Sequence, residues 1–421
     1  MNAMDKVIGY EHIKKELKKV LDVMKNTEKY KKMGVKIPHG ILLDGVPGVG
    51  KTLLASCFVE ESGRKPYILR KNKPDGEFVD CIRETFDKAM QDTPSIVFLD
   101  DMDKFANEDM AHLDAEEYVT IQACIDDIKE KDVFVIATTN EKRSLPRSLV
   151  RSGRFDYIFT LEVPEGEDAE KIISFYLKDK NVEKDIDAEE ISRFCRGNSC
   201  ADLEKAVNNA GLCAGYDGRD KISQSDMIRS CLKVFYRIDN DEPANETLIK
   251  RRAIHEAGHA VVAEILDPGS VDFVAVSGRK DNRVGGVVSR KRNEEFDESF
   301  KEQEIAILIS LAGKASTEVV LGEIDMGANR DMHKAFDLTR VLLDNNTAYD
   351  FGSWCHGEET SQMVYDNLDR ATAFEITRYY QKVKQMIIEN RTFLDEVINN
   401  LCKNRTISYK DIRIIKDGIV D

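Results

Sequence analysis

Short continuous apolar runs alternate with amphipathic stretches through the first 163 residues. Gly40–Asp44, Pro66–Arg70, Ser95–Asp100, Asp132–Asn140 and Tyr157–Val163 read as strands. Thr52–Glu61, Glu77–Gln91 and residues 114–129 carry helical spacing between them. Residues 5–34 read as one charged amphipathic helix, with Ile13, Leu17, Val20 and Leu21 set among Lys14, Lys15, Lys18 and Lys19. Strands that are apolar throughout need cover on both faces, which predicts a parallel sheet between layers of helix. In such folds ligands gather at the carboxyl ends of the strands.

After Pro164 the strand pattern stops. Residues 167–179, 187–195, 200–215 and 223–235 read as helices, and 237–246 as a polar linker. Beyond it the chain is mainly helical, with one strand pair at Val271–Ser277 and Val284–Ser289. The expected organisation is a three-layer α/β core over 1–164, a helical domain over 165–238 and a mainly α-helical third domain over 239–421. The strand pair reads equally as a plain hairpin or as an edge, Val271–Ser277, that takes up an extended peptide by backbone pairing.

Composition narrows the class. A length of 421 residues fits two to three domains. The net charge of −15 disfavours a nucleic-acid role, which needs a basic face. No apolar run approaches the roughly 18 residues of a bilayer span; among the longest is Ile305–Ala312. Met1–Tyr10 lacks the basic start and apolar stretch of a signal peptide. Nine cysteines without a Cys-x-x-Cys pair fit reduced thiols. The chain is therefore expected to be soluble and cytoplasmic.

Two motifs carry chemistry. Gly45-Val46-Pro47-Gly48-Val49-Gly50-Lys51-Thr52 matches G-x-x-x-x-G-K-[ST] between a strand and a helix, the context a phosphate loop requires. Its glycines turn backbone N–H groups toward phosphates, Lys51 adds a point charge and Thr52 a hydroxyl for Mg²⁺. Asp100 and Asp101 close an apolar strand downstream, Asp100 to hold Mg²⁺ and Asp101 to polarise the attacking water. Asn140, ending the next strand, is placed to read the γ-phosphate. Arg151 and Arg154 share a loop and suit an arginine finger reaching a neighbour's γ-phosphate; the alternative is two surface arginines.

The second motif is His255-Glu256-Ala257-Gly258-His259 within one helical stretch. Positions four apart share a face, so both imidazoles can grip one Zn²⁺, with Glu256 beside them as general base. A catalytic zinc needs a third protein ligand. Besides the pair, the chain has His12, His39, His112, His333 and His356, and spacing does not choose between His333 and the carboxylate of Asp331.

In this order the motifs resemble the FtsH family of ATP-dependent zinc metalloproteases, within the AAA superfamily. Val7-Ile8-Gly9 is similar to the family's adenine-pocket start, and Gly197–Leu203 to its helical-lid signature. His255–Ala260 resembles the peptidase helix, and Arg405–Ile412 the terminal helical element. Gly327–Met332 resembles the segment whose aspartate is the third zinc ligand, which favours Asp331. The resemblance implies an AAA ATPase core, a helical lid and a zinc peptidase. It further implies Zn²⁺, ATP and Mg²⁺, self-association into a hexameric ring with the arginines acting in trans, and polypeptide substrates threaded through the pore.

Three departures stand out. Asp101 replaces the family's glutamate, one methylene longer, which predicts slow ATP hydrolysis. Arg70–Glu77, at the pore-loop position, is short and lacks an aromatic, and Phe78 falls in a helix pattern. The family's transmembrane helices are missing, which puts membrane-protein substrates in question. The expected function is an ATP-dependent zinc endopeptidase that unfolds and degrades polypeptides. Its rivals are a zinc protease with a slow or regulatory ATPase half, and a non-proteolytic remodelling ring.

Overall fold

The computed structural model describes residues 3–72, 75–107, 115–151, 153–239, 245–278, 285–291, 299–323, 328–345 and 362–420. Residues 240–244 of the expected linker, 73–74 of the segment after Arg70, and Val284, Gly327 and His356 lie outside the described residues. The chain divides into two compact units, Met1–Asn181 with Cys195–Asn208, and Val182–Phe194 with Asn209–Asp421. The stretch 165–238 is thus shared between them.

The first unit holds a five-stranded parallel sheet in the order β2-β3-β4-β1-β5. Its strands are β1 (Gly40–Asp44), β2 (Lys65–Leu69), β3 (Ser95–Leu99), β4 (Val133–Thr139) and β5 (Tyr157–Thr160). The connecting helices are α1 (Glu11–Lys25), α2 (Thr27–Lys32), α3 (Lys51–Ser62), α4 (Asp75–Gln91) and α5 (Ala115–Asp127), followed by α6 (Gly166–Leu177). Alternation along the strands explains their unbroken apolar character. Ile41, Leu43, Ile96, Phe98, Phe134 and Ile136 join the core beneath α1 and α3. Leu42, Val97, Leu99, Val133, Val135 and Ala137 join the opposite core, with α4 and α5. Each buried large side chain contributes about 1.5–3 kcal/mol, so neither face tolerates a one-residue slip. The polar residues Asp44, Asp100 and Asn140 lie at or just beyond the carboxyl ends of β1, β3 and β4.

The expected single helix over 5–34 is divided. A 3₁₀ turn spans Ala3–Lys6, Tyr10 takes a left-handed backbone, and Asn26 separates α1 from α2. Asparagine readily adopts such non-helical backbone.

The second unit contains α7 (Ala188–Phe194) and α9 (Gln224–Tyr236), with α8 (Cys200–Tyr216) crossing the division. It continues through α10 (Glu246–Leu266), β6 (Val271–Val276), β7 (Gly286–Arg290), α11 (Phe300–Leu321) and α12 (Asn329–Asn345). The last elements are α13 (Gln362–Glu389), α14 (Arg391–Asn404), β8 (Thr406–Ser408) and α15 (Tyr409–Val420). Asn245 caps α10 by accepting the Leu248 N–H at 3.1 Å. The helices bury one apolar core that includes Ile254, Val261, Leu311, Val383 and Leu401. Phe273 of β6 stacks on Phe194 of α7 at 4.2 Å between ring centroids and meets Tyr236 of α9 edge-on at 5.1 Å.

The antiparallel sheet of this unit corrects two expectations. Its order is β7-β6-β8, so Val271–Val276 is the central strand and is fully buried. It pairs on both sides and has no free edge; among the described residues the half-buried β7 and the short β8 are the edge strands. The partner β8 comes from Arg405–Ile412, the segment likened to a terminal helical element. The β-branched Thr406 and Ile407 pair with β6 before α15 begins.

Candidate functional site

In the first unit the phosphate-loop residues converge on a cavity of about 660 Å³. It is lined by Ile8, Pro47, Gly48, Val49, Gly50, Lys51, Thr52, Asp101 and Asn140, with Tyr10, Phe175 and Tyr176 at its apolar end. Lys51 Nζ donates to Gly45 O at 2.7 Å, Val46 O at 2.9 Å and Asn140 Oδ1 at 2.9 Å. Burial pulls its ammonium below the usual lysine value, opposed by Asp101, Asp103, Asp44 and Asp100. Gly9 adjoins a neighbouring cavity rather than this one.

Asp100 is buried and well satisfied. Its Oδ1 accepts the Thr52 hydroxyl at 3.0 Å and the Thr138 hydroxyl at 2.8 Å, and its Oδ2 accepts Arg70 Nε at 2.7 Å. Asp101 stands in a left-handed backbone conformation and pairs with Lys104 at 2.6 Å. Its carboxylate is 3.5 Å from Asn140 Nδ2. A carboxylate beside a phosphate-binding loop, with a threonine hydroxyl at its oxygen, is a donor set that suits Mg²⁺ and a nucleotide.

The two loop arginines differ. Arg151 is exposed. Arg154 is buried, its Nη2 is 2.6 Å from Asp126 Oδ2, and its Nη1 donates to Ser148 O. Phe78 is also committed: it is wholly buried and meets Phe105 edge-on at 5.2 Å.

In the second unit α10 carries His255 and His259 on one face, and the first turn of α12 brings Asp331 to them. His255 Nε2 lies 3.1 Å from His259 Nε2 and 3.1 Å from Asp331 Oδ2, and His259 Nε2 lies 3.5 Å from that same oxygen. Donors tetrahedral about one Zn²⁺ at about 2.0–2.2 Å stand roughly 3.3–3.5 Å apart. The observed triangle therefore fits zinc. Nδ1 of His259 donates to Ile309 O at 2.6 Å, which fixes the tautomer and leaves Nε2 with its lone pair toward the ion. Burial alone would raise the Asp331 carboxyl, but the adjoining His255 and His259 imidazoles hold it well below the usual range. His333 is exposed and is not part of this donor group.

Glu256 lines the same cavity, about 1020 Å³ in volume, and protein packs against its carboxyl. Burial pushes the group up to about 7, Asp331 adds to the rise, and His255 and Arg252 oppose it. A half-desolvated carboxyl beside an open metal position can take and return a proton.

Residues 41–163 match the "ATPase family associated with various cellular activities (AAA)", and residues 245–415 match "Peptidase family M41". The chain is 30% identical to the ATP-dependent zinc metalloprotease FtsH of Thermus thermophilus, over 98% of this chain and 70% of that protein. The chain belongs to the FtsH family. It is 27% identical to FtsH 2 of Thermoanaerobacter sp., over 97% of this chain and 82% of the relative. It is 28% identical to FtsH of Thermotoga maritima, over 97% and 72%. This FtsH-family enzyme thus joins an AAA ATPase domain to a metallopeptidase domain. Among the described residues no helix is long and apolar enough to cross a membrane.

Two glycines of this FtsH-family chain escaped sequence reasoning. A Cβ on Gly313 of α11 would stand 2.6 Å from His255 Nε2 and closer still to His259 Nε2. A Cβ on Gly286 of β7 would stand 2.7 Å from Glu256 Oε1. No local signal marks either residue, because each is required by what packs over it.

Proposed function

We propose that this FtsH-family chain is an endopeptidase that hydrolyses polypeptides at a zinc centre and couples that cleavage to ATP turnover in a ring. The observation that carries the reading is the His255–His259–Asp331 donor triangle opening, with Glu256, into one cavity. These three side chains would hold the metal. Zinc supplies Lewis acidity toward the scissile carbonyl and the attacking water. Glu256 accepts the proton of that water on its carboxylate and returns it to the leaving amine. The free edge of β7, which lines the cavity, offers backbone groups to an extended substrate.

In the ATPase half, the backbone of Gly45–Gly50 wraps the phosphates and Lys51 moves from the loop carbonyls to the outer phosphates. Thr52 and Asp100 would hold Mg²⁺, which supplies charge neutralisation between phosphates. Asp101 orients water, Asn140 senses the γ-phosphate, and Ile8 lies at the base end, with Gly9 lining the cavity beside it. Arg151 is the arginine that reaches a neighbouring protomer in a hexameric ring. Arg154, held by Asp126, positions that loop. A reducing, cytoplasmic setting, expected from nine cysteines without a Cys-x-x-Cys pair, is part of the same reading.

ATP turnover and casein cleavage measured on the parent, Lys51→Ala and Glu256→Gln proteins test the reading. Glu256→Gln is expected to abolish cleavage and leave ATP turnover. Lys51→Ala is expected to abolish ATP turnover and cleavage of folded substrates. Cleavage surviving in Glu256→Gln would overturn the peptidase assignment. Folded and unfolded substrates cut equally with and without ATP would leave a protease with a regulatory ATPase half.

A further inference from the structure

Two consecutive carbonyls of the phosphate loop are held by residues distant in the chain. Gly48 O accepts the Ala201 N–H at 3.1 Å. A Cβ on Gly48 would stand 2.9 Å from Ala201 Cβ, so the first turn of α8 lies directly on the loop. Val49 O accepts the Tyr10 hydroxyl at 3.1 Å and the Cys200 thiol, with Sγ at 3.8 Å. The same Tyr10 hydroxyl lies 2.6 Å from Glu162 O, just past β5. A phenol has one hydrogen to donate, so it serves the two oxygens as a three-centre bond.

Tyr10 is itself held in an unusual state. Its backbone is left-handed, at φ 58° and ψ 33°. For a bulky residue that conformation is an outlier, kept only where surrounding contacts over-determine it. The half-buried ring lines the nucleotide cavity. Burial pushes both the Tyr10 phenol and the Cys200 thiol up, so each stays protonated and able to donate.

In a trans peptide the C=O and the following N–H point to opposite sides. Holding Gly48 O and Val49 O toward α8 and Tyr10 therefore turns the N–H groups of Val49 and Gly50 the other way. A phosphate loop binds its anion through backbone N–H groups turned to one side. Amides already aimed lose less freedom when the anion arrives.

We propose that Tyr10 is a positioning residue for phosphate binding: its hydroxyl ties Val49 O to Glu162 O and so fixes the Val49–Gly50 peptide in its phosphate-binding orientation. Cys200 is the weaker second donor to the same oxygen. The proposal rests on the nucleotide reading of this cavity given above.

The test is competition of ATP, ADP and adenosine against a fluorescent ATP analogue on the full chain with Mg²⁺. Tyr10→Phe keeps the ring and removes only the hydroxyl. It is expected to weaken ATP and ADP by about fivefold, the change one hydrogen bond of ordinary strength yields, and to leave adenosine unchanged. The contact acts on ground state and transition state alike, so KM for ATP is expected to rise by a similar factor with kcat held within about twofold. Cys200→Ala is expected to weaken ATP and ADP by less, again without effect on adenosine. ATP bound by the parent and equally well by Tyr10→Phe would overturn the inference alone. So would an equal loss of adenosine, a fall in kcat at unchanged KM, or a larger loss in Cys200→Ala than in Tyr10→Phe. A parent protein that binds no ATP would overturn the nucleotide reading itself.

Discussion

Gly313 of α11 lies against the imidazole of His259 so closely that no side chain fits between them. The contact sets how near α11 approaches α10, and through Ile309 O it also sets the tautomer of the same histidine. Gly313→Ala is expected to displace both imidazoles and to lower bound zinc to well below one per chain by metal analysis. A variant that retains zinc and casein cleavage would show that the helices can part without cost.

Arg70 and Asp100 bear on Mg²⁺ in the other unit. Arg70 Nε holds Asp100 Oδ2 at 2.7 Å, although the arginine side chain is otherwise exposed. Arg70 must leave that oxygen if a divalent ion is to take it. With the guanidinium exposed and the carboxylate buried, the pair is worth on the order of 1 kcal/mol, so Arg70→Ala is expected to tighten Mg-ATP binding by about fivefold. Binding of ATP in the presence of chelator is expected to stay unchanged. Titration of a fluorescent ATP analogue with and without Mg²⁺ checks both arms.

Asp101, proposed above to orient the attacking water, pairs with Lys104 at 2.6 Å. Asp101→Glu extends the carboxylate by one methylene and is expected to raise ATP turnover by about tenfold, since misplacement by about an ångström costs rates of this order or more. Steady-state phosphate release on the two proteins decides it. No gain in Asp101→Glu would remove the short carboxylate as the limit.

Arg151 and Arg154 are three residues apart and are expected to fail differently. Arg154→Ala removes the buried guanidinium that ties Asp126 to Ser148 O and leaves Asp126 with Lys129, at a cost of about 1–3 kcal/mol in chemical denaturation. Arg151→Ala is expected to leave stability unchanged and to depress ATP turnover in the assembled protein. Equal loss of stability in both variants would contradict the division of roles.

His39 and Asp156 give the first unit a pH signature. The His39 N–H donates to Asp156 Oδ2 at 2.7 Å, and His39 Nδ1 lies 3.7 Å from the same oxygen. The Asp156 carboxylate facing the imidazole, not the backbone N–H bond, raises His39 above its usual 6.5, against the opposing effect of burial. That stabilisation is complete below pH 6.5 and is lost as pH rises through the folded value. Asp156 is pushed up by burial yet held at about 2 by His39 and the Gly153 N–H, so its share is present above 3.8 and is lost as pH falls toward 2. His39→Gln is expected to flatten the alkaline decline in denaturation midpoint and to weaken the acid one only in part, because the backbone N–H groups of residues 39 and 153 still hold Asp156. An unchanged alkaline limb would exclude the pair.

The chemistry was most legible where it is contiguous. Gly45–Thr52 and His255–His259 each place their functional groups within a single turn of backbone, so residue spacing alone fixes their geometry. The strands of the parallel sheet were legible for a similar reason, since burial on both faces leaves an unbroken apolar run. Asp331 was harder. Spacing left it level with His333, and only the packing of α12 against α11 turns Asp331 toward the histidines and leaves His333 exposed.

The sequence by itself determined the phosphate loop, the metal-binding helix and the order of the elements around them, because each depends on neighbours a few residues away. The tertiary structure decided the rest. It seated Gly313 beneath His259, made Val271–Val276 a central strand by pairing it with Thr406–Ser408, and committed Arg154 to Asp126. Those outcomes depend on which distant surfaces close-pack against one another, and the spacing of residues along one chain does not specify that contact.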